Sequence, residues 1–175
     1  IAGQDNTVIA GGEYKVIAPG TKKDNAAMVT LSGQPEVSVK VTYSADTFSL
    51  TGKWEGDENG TFYCPLIIKV TGKVGDTVTT ETINCAKKNS AADIQTAVQN
   101  AVAACSATYA PNTDLSTAAV AGEGLKISWE WPFEGTANPG QTDAKDTYLG
   151  NQAAAGGLNV PAIHIPVTAT VTQID

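Results

Sequence analysis

Hydrophobic and polar residues alternate with a period of two along much of this chain. Val37, Val39, Val41 and Tyr43 fall on one side, with Ser38, Lys40 and Thr42 on the other. Leu125, Ile127, Trp129 and Trp131 alternate with Lys126, Ser128 and Glu130. Near the C-terminus, Ile163, Ile165, Val167, Ala169 and Val171 alternate with His164, Pro166, Thr168, Thr170 and Thr172. Successive side chains of a strand point to opposite faces, so such runs predict strands with one dry face and one wet face. Further strands are expected at Tyr14–Ala18, Ala27–Leu31 and Thr47–Trp54. Gly33-Gln34-Pro35 and Asn138-Pro139-Gly140 mark loops between them. Asn59-Gly60 predicts a type I′ hairpin joining Leu50–Trp54 to Thr61–Cys64. Many short strands punctuated in this way predict an all-β sandwich or barrel in one domain.

One segment follows a different period. Ser90 to Asp93 resembles a capping box, and Ile94, Val98, Ala101, Val102 and Cys105 follow at helical spacing. A single helix over about 90–106 is expected as an insertion among the strands. Residues 107–122, rich in Ala, Thr and Asn, are expected to form a long loop. Residues 1–10 are extended in character, but neither of their faces is convincingly apolar. Gly11-Gly12 follows as a joint, because glycine tolerates conformations that other residues avoid.

Composition narrows the function classes. The chain has 175 residues and a net charge of -7, with 11 Lys and no Arg. An acidic chain without basic stripes is a poor binder of nucleic acid, which needs cations to neutralise phosphate. No apolar run approaches the ~20 residues that span a bilayer. Thr occurs 22 times, which suits the exposed faces of pleated sheets. The chain begins Ile1-Ala2-Gly3, with no initiator Met and no signal-peptide pattern. It is therefore expected to be a mature, secreted chain located outside the cell or at its surface.

Candidate chemistry is sparse. HExxH, GxSxG, Walker A and GxGxxG patterns are all missing, and the single His164 lies on the polar face of its strand. No catalytic residue, metal site or cofactor is expected. Glu55-Gly56-Asp57-Glu58-Asn59 lacks an EF-hand loop and reads as a solvated turn. Asp143, Asp146 and Thr147 read as side chains that hold a loop. Asn59-Gly60-Thr61 is the one glycosylation sequon, with Asn59 as the acceptor. Trp129 and Trp131 share a strand face that suits either a core or a sugar-stacking platform.

Cys64, Cys85 and Cys105 lack zinc-ligand spacing. If Phe62–Thr71 and Thr77–Asn84 form a hairpin turning about Val74-Gly75, Cys64 lies directly opposite Cys85, at a separation suited to a disulfide. A Cys85–Cys105 bridge is the alternative, and three ordinary buried thiols are the bland one.

Three segments in order carry a family resemblance: Ile127-Ser128-Trp129-Glu130-Trp131-Pro132-Phe133, Asp146-Thr147-Tyr148-Leu149-Gly150, and the alternating strand Ile163–Gln173. Together they resemble the C-terminal half of the TasA/camelysin family, which includes bacterial biofilm-matrix filament proteins and archaeal bundling pilins. There a W-x-W-P segment precedes a D-T-x-L-G loop. The signature positions here are Trp129, Trp131, Pro132, Phe133, Asp146, Thr147, Leu149 and Gly150. The resemblance covers about 50 residues. It implies a jelly-roll-like β-sandwich, from whose family pattern the helix expected at about 90–106 and the three cysteines depart. It also implies a homopolymer of identical subunits, in which the N-terminal strand of one completes a sheet of the next, with lateral bundling of the filaments. By position the donor strand is Ile1, Ala2, Gly3, Gln4, Asp5, Asn6, Thr7, Val8, Ile9 and Ala10. The hinge is Gly11 and Gly12, and residues 13–175 form the sandwich domain. Camelysin is described as a cell-surface metalloprotease, which makes proteolysis a rival expectation. An adhesin or carbohydrate-binding module using the two tryptophans is another.

Overall fold

A computed structural model describes residues 8–9, 15–16, 18–74, 77–118, 123–133, 139–156 and 160–174. The fold is rich in β structure. Its strands are β1 (Val8–Ile9), β2 (Lys15–Val16), β3 (Lys22–Thr30), β4 (Val39–Ala45), β5 (Ser49–Thr51), β6 (Ile67–Val74), β7 (Thr77–Asn84), β8 (Ala107–Tyr109), β9 (Glu123–Glu130), β10 (Ala162–His164) and β11 (Val167–Gln173). The helices are α1 (Ala91–Ala104), α2 (Leu115–Ala118) and α3 (Asp143–Ala154). An antiparallel sheet in the order β3-β9-β6-β7 faces a second in the order β11-β4-β8. The short pairs β10-β5 and β1-β2 are also antiparallel.

Alternation selects the inner face of each strand. In β4, Val39, Val41, Tyr43 and Ala45 are all buried, while Lys40 and Ser44 are exposed. Val70 and Ile68 of β6, and Leu125, Ile127 and Trp129 of β9, join them in one continuous core. At roughly 25 cal/mol per Å² of apolar surface removed from water, this shared core is the main source of stability.

The predicted helix forms as α1. The Ser90 Oγ accepts from the Asp93 backbone N–H at 3.2 Å, satisfying one of the orphan donors of the first turn. Its apolar stripe of Ile94, Val98, Ala101 and Val102 is buried against β4 and against the β6-β7 end of the larger sheet. Cys105, at the C-cap, stands directly over Gly72 of β6. A Cβ at Gly72 would lie 2.7 Å from both Cβ and Sγ of Cys105. Gly72→Ala is thus expected to cost about 1–3 kcal/mol through overpacking, read as a lower denaturant midpoint at unchanged m-value. Cys105→Ala in the same chain is expected to relieve only part of it, because the Cβ clash stays.

Four expectations are corrected. The long loop expected at residues 107–122 contains β8, whose Ala107 and Tyr109 are buried beside Val41 and Val39 of β4, and the one-turn α2. Three residues are too short a run to show a period. The helix at 91–104 is not alone, since the D-T-x-L-G segment is helical rather than a loop. Thr142 caps it by accepting from Lys145 N–H, and only Asp146 and Leu149 of α3 are buried. With so narrow a buried stripe the helix has almost no hydrophobic periodicity to read. The Asn59-Gly60 hairpin is reduced to a bridge between Glu55 and Phe62. Its turn spans Asp57 to Gly60, with only Gly60 at positive φ, so it is not type I′. The Asp57 carboxylate stabilises that turn by accepting from Asn59 and Thr61 backbone N–H, at 3.0 and 3.1 Å. Finally, the β6-β7 ladder closes with Val74 opposite Thr77, one residue later than a turn about Val74-Gly75 requires. Cys85 therefore faces Leu66, not Cys64, and its N–H donates to the Leu66 carbonyl at 2.9 Å.

Candidate functional site

The core is closed on one side by α1. Across the molecule, at the edge formed by β3, it is open. A cavity of about 220 Å³ lies there, lined mainly by Ala27, Leu66, Ile68, Ile127, Ile163 and Ile165. Lys23 and Trp129 stand at its margin.

Strand registers identify further inward-facing apolar positions that stand open to solvent. Directly opposed residues in an antiparallel pair project to the same face. Val167, Ala169 and Val171 of β11 oppose Ala45, Tyr43 and Val41 of β4, and so point inward with them. Yet Val41 is 0% exposed while Val171 is 59% exposed. On the other sheet, Ala27 and Val29 of β3 oppose the buried Ile127 and Leu125, and are themselves only half-buried. The inward faces of β3 and β11 thus flank a cleft that the described residues leave uncovered.

The two flanking strands also have different free edges. Each pairs with one neighbour among the described residues, β3 with β9 and β11 with β4. The β3 ladder is broken by register shifts between Lys23 and Ala27 and between Val29 and Thr30. Bulges and charges of this kind blunt an edge against further pairing. The β11 ladder runs without a shift over seven residues. A regular edge above an uncovered apolar face is a template for one more strand.

Three of the positions behind the family resemblance, Trp131, Pro132 and Asp146, come together elsewhere in a buried polar knot. Asp146, at the start of α3, accepts from Tyr63 Oη at 2.5 Å and from Trp131 Nε1 at 3.3 Å through one carboxylate oxygen. Its other oxygen accepts from Gln141 Nε2 at 2.6 Å, and the same amide donates to the Pro132 carbonyl at 2.6 Å. Burial first, and then the bond to this carboxylate, pushes the Tyr63 phenol far above its ordinary value. The knot ties α3 to the end of β9. Leu149 is buried with it, whereas Thr147 and Gly150 are exposed. Phe133 is 71% exposed, its ring lying over Gly20, whose N–H donates to the Trp131 carbonyl. Tyr63 and Gln141 were not legible as partners of Asp146, because 83 and 5 residues of separation carry no periodic signal.

The remaining sequence candidates are scattered. Trp129 and Trp131 are both buried, which removes them as an open sugar-stacking platform. Asn59 is exposed at its turn, as a glycan acceptor must be. His164 is exposed in β10 opposite Ser49. Among the described residues, no three His, Cys, Asp or Glu side chains gather as a metal site. No helix among them is long and apolar enough to cross a membrane. Cys64 and Cys85 are buried side by side, and both are free thiols, as is Cys105. Of the proposed arm, Val8–Ile9 is a strand paired with Lys15–Val16 of the same chain. Ile1 to Thr7, Ala10 and the hinge glycines Gly11 and Gly12 lie outside the described residues.

Compared with protein-family models, curated proteins and solved structures, the chain matches none.

Proposed function

We propose that this chain is the subunit of a secreted, extracellular filament that polymerises by donor-strand complementation. Residues Ile1–Ala10 of one copy enter the cleft of the next and complete a jelly-roll-like sandwich. The observation that carries this reading is the uncovered inward face of β11, where Val171 is exposed although its partner Val41 is fully buried.

The arm has the reach. Ten extended residues span about 33 Å at ~3.3 Å each, enough to follow all seven residues of β11. Its present pairing is weak, because a two-residue ladder between Val8–Ile9 and Lys15–Val16 is marginal by itself. Exchanging that ladder for a full-length one along β11 gains backbone hydrogen bonds and covers apolar surface in the same step. The contact is head-to-tail and does not close on itself, so each addition exposes a new cleft and the chain of subunits grows. The acidic, Arg-free composition sets subunits of like charge against each other laterally, so bundling of such filaments calls for screening by salt or cations.

A single charge in the cleft tests the reading. Val171→Lys alters an exposed residue and is expected to change subunit stability by no more than about 0.5 kcal/mol. It places an ammonium where the incoming strand must pack and is expected to abolish filaments in electron micrographs. Filaments of unchanged length and abundance from a well-folded Val171→Lys subunit would overturn the proposal.

A further inference from the structure

Two of the three thiols are built into one place. Cys64 lies three residues before the start of β6, and Cys85 opens the 3-10 turn that follows β7. The backbone bond from Cys85 N–H to the Leu66 carbonyl places Cys85 beside Leu66, two residues from Cys64. Both side chains point into the core at 0% exposure, and the Cys85 Sγ donates to the Ile83 carbonyl at 3.9 Å. Cys105 belongs elsewhere. Its Sγ donates to the Ala101 carbonyl at 3.4 Å and stands over Gly72. Gly72 is six residues along β6 from Leu66, or about 20 Å at ~3.3 Å per residue. A disulfide needs Cα atoms within roughly 7 Å, so Cys105 can join neither partner without unfolding the hairpin.

We infer that Cys64 and Cys85 are a disulfide-forming pair that staples the open end of the β6-β7 hairpin, with Cys105 left as a free buried thiol. The chemistry is a thiol–disulfide exchange with a low-mass disulfide or a disulfide-carrying oxidoreductase. One thiolate attacks the external disulfide and releases one reduced thiol. The second thiolate then displaces the other, forming the Cys64–Cys85 bond. Two protons leave the protein, and the external disulfide takes up the two electrons. Only the thiolate reacts, and burial, with the Cys85 thiol beside it, holds the Cys64 thiol protonated once the core has closed. The staple therefore forms during folding, not after it. The ring it closes runs from residue 64 to residue 85 and constrains the unfolded chain.

The test refolds the full chain from denaturant in a mixture of reduced and oxidised glutathione. The product is unfolded again without reductant, alkylated and mapped by peptide mass. The expected product takes one alkyl group, at Cys105, and gives a linked peptide joining Cys64 to Cys85. After reduction it takes three. A Cys105→Ser chain is expected to take none before reduction, and to melt higher oxidised than reduced. The same Cys105→Ser chain exported to an oxidising bacterial periplasm supplies the measurement without refolding. Alkylation of both Cys64 and Cys85 before reduction, or a linked peptide containing Cys105, would overturn the inference. The outcome does not depend on whether the subunits assemble.

Discussion

Asp146→Ala is expected to lower the stability of the subunit by about 3–4 kcal/mol, among the larger effects a single polar residue can have. The carboxylate is the common acceptor for Tyr63, Trp131 and Gln141. Truncation leaves those donors in a dry site, and an orphaned buried polar group costs about 1–3 kcal/mol. Some of that is recovered as Gln141 keeps its bond to the Pro132 carbonyl. For a domain of this size the loss corresponds to a melting temperature lower by roughly 10 °C, measurable by calorimetry. Asp146→Asn is expected to fall between the two. Its amide oxygen still accepts from Tyr63, but its NH₂ then faces the Gln141 donor. A melting temperature unchanged in Asp146→Ala would mean that the knot does not hold α3 to β9.

That knot shows where sequence reasoning succeeds and where it stops. The three segments carrying the resemblance include Trp131 and Asp146, and these two residues do meet in the fold. Their partners could not be foreseen, because contact between Tyr63 and Asp146 depends on the whole chain path between them. Strands with strict alternation, such as Val39–Ala45, were legible because one buried face imposes the period. The capped helix was legible for an analogous reason, since Ser90 and its apolar stripe are local. Ala107–Tyr109 and Asp143–Ala154 escaped, the first too short and the second too little buried to leave a pattern. The hairpin turn was misplaced by one residue, which shifts every cross-strand pair by two and moves Cys85 from opposite Cys64 to opposite Leu66. The cleft was half legible. The apolar face of Val167, Ala169 and Val171 stands in the sequence, but its lack of a cover is a property of the sheet order alone.

The second large effect concerns assembly instead of stability. Deleting Ile1–Ala10 removes the proposed donor strand and only the two-residue β1 from the described fold. The described core is built from residues between Leu31 and Leu149, and with it intact the shortened subunit is expected to fold and melt nearly as the full chain does. It keeps its own cleft but has nothing to offer the next subunit. Alone it is expected to stay monomeric. Mixed with full-length chains, it accepts a donor strand at its cleft and extends no further. It is therefore expected to shorten filaments in proportion to the fraction added.

The most direct measurement supplies the missing strand from outside. A synthetic peptide of residues 1–10 is added to the deletion subunit, and backbone amide exchange is followed residue by residue. Binding at one site per subunit, with slowed exchange concentrated along Val167–Gln173 and lost in Val171→Lys, is the predicted result. Filaments formed by the deletion subunit alone, or a peptide that leaves exchange along Val167–Gln173 unchanged, would contradict the account.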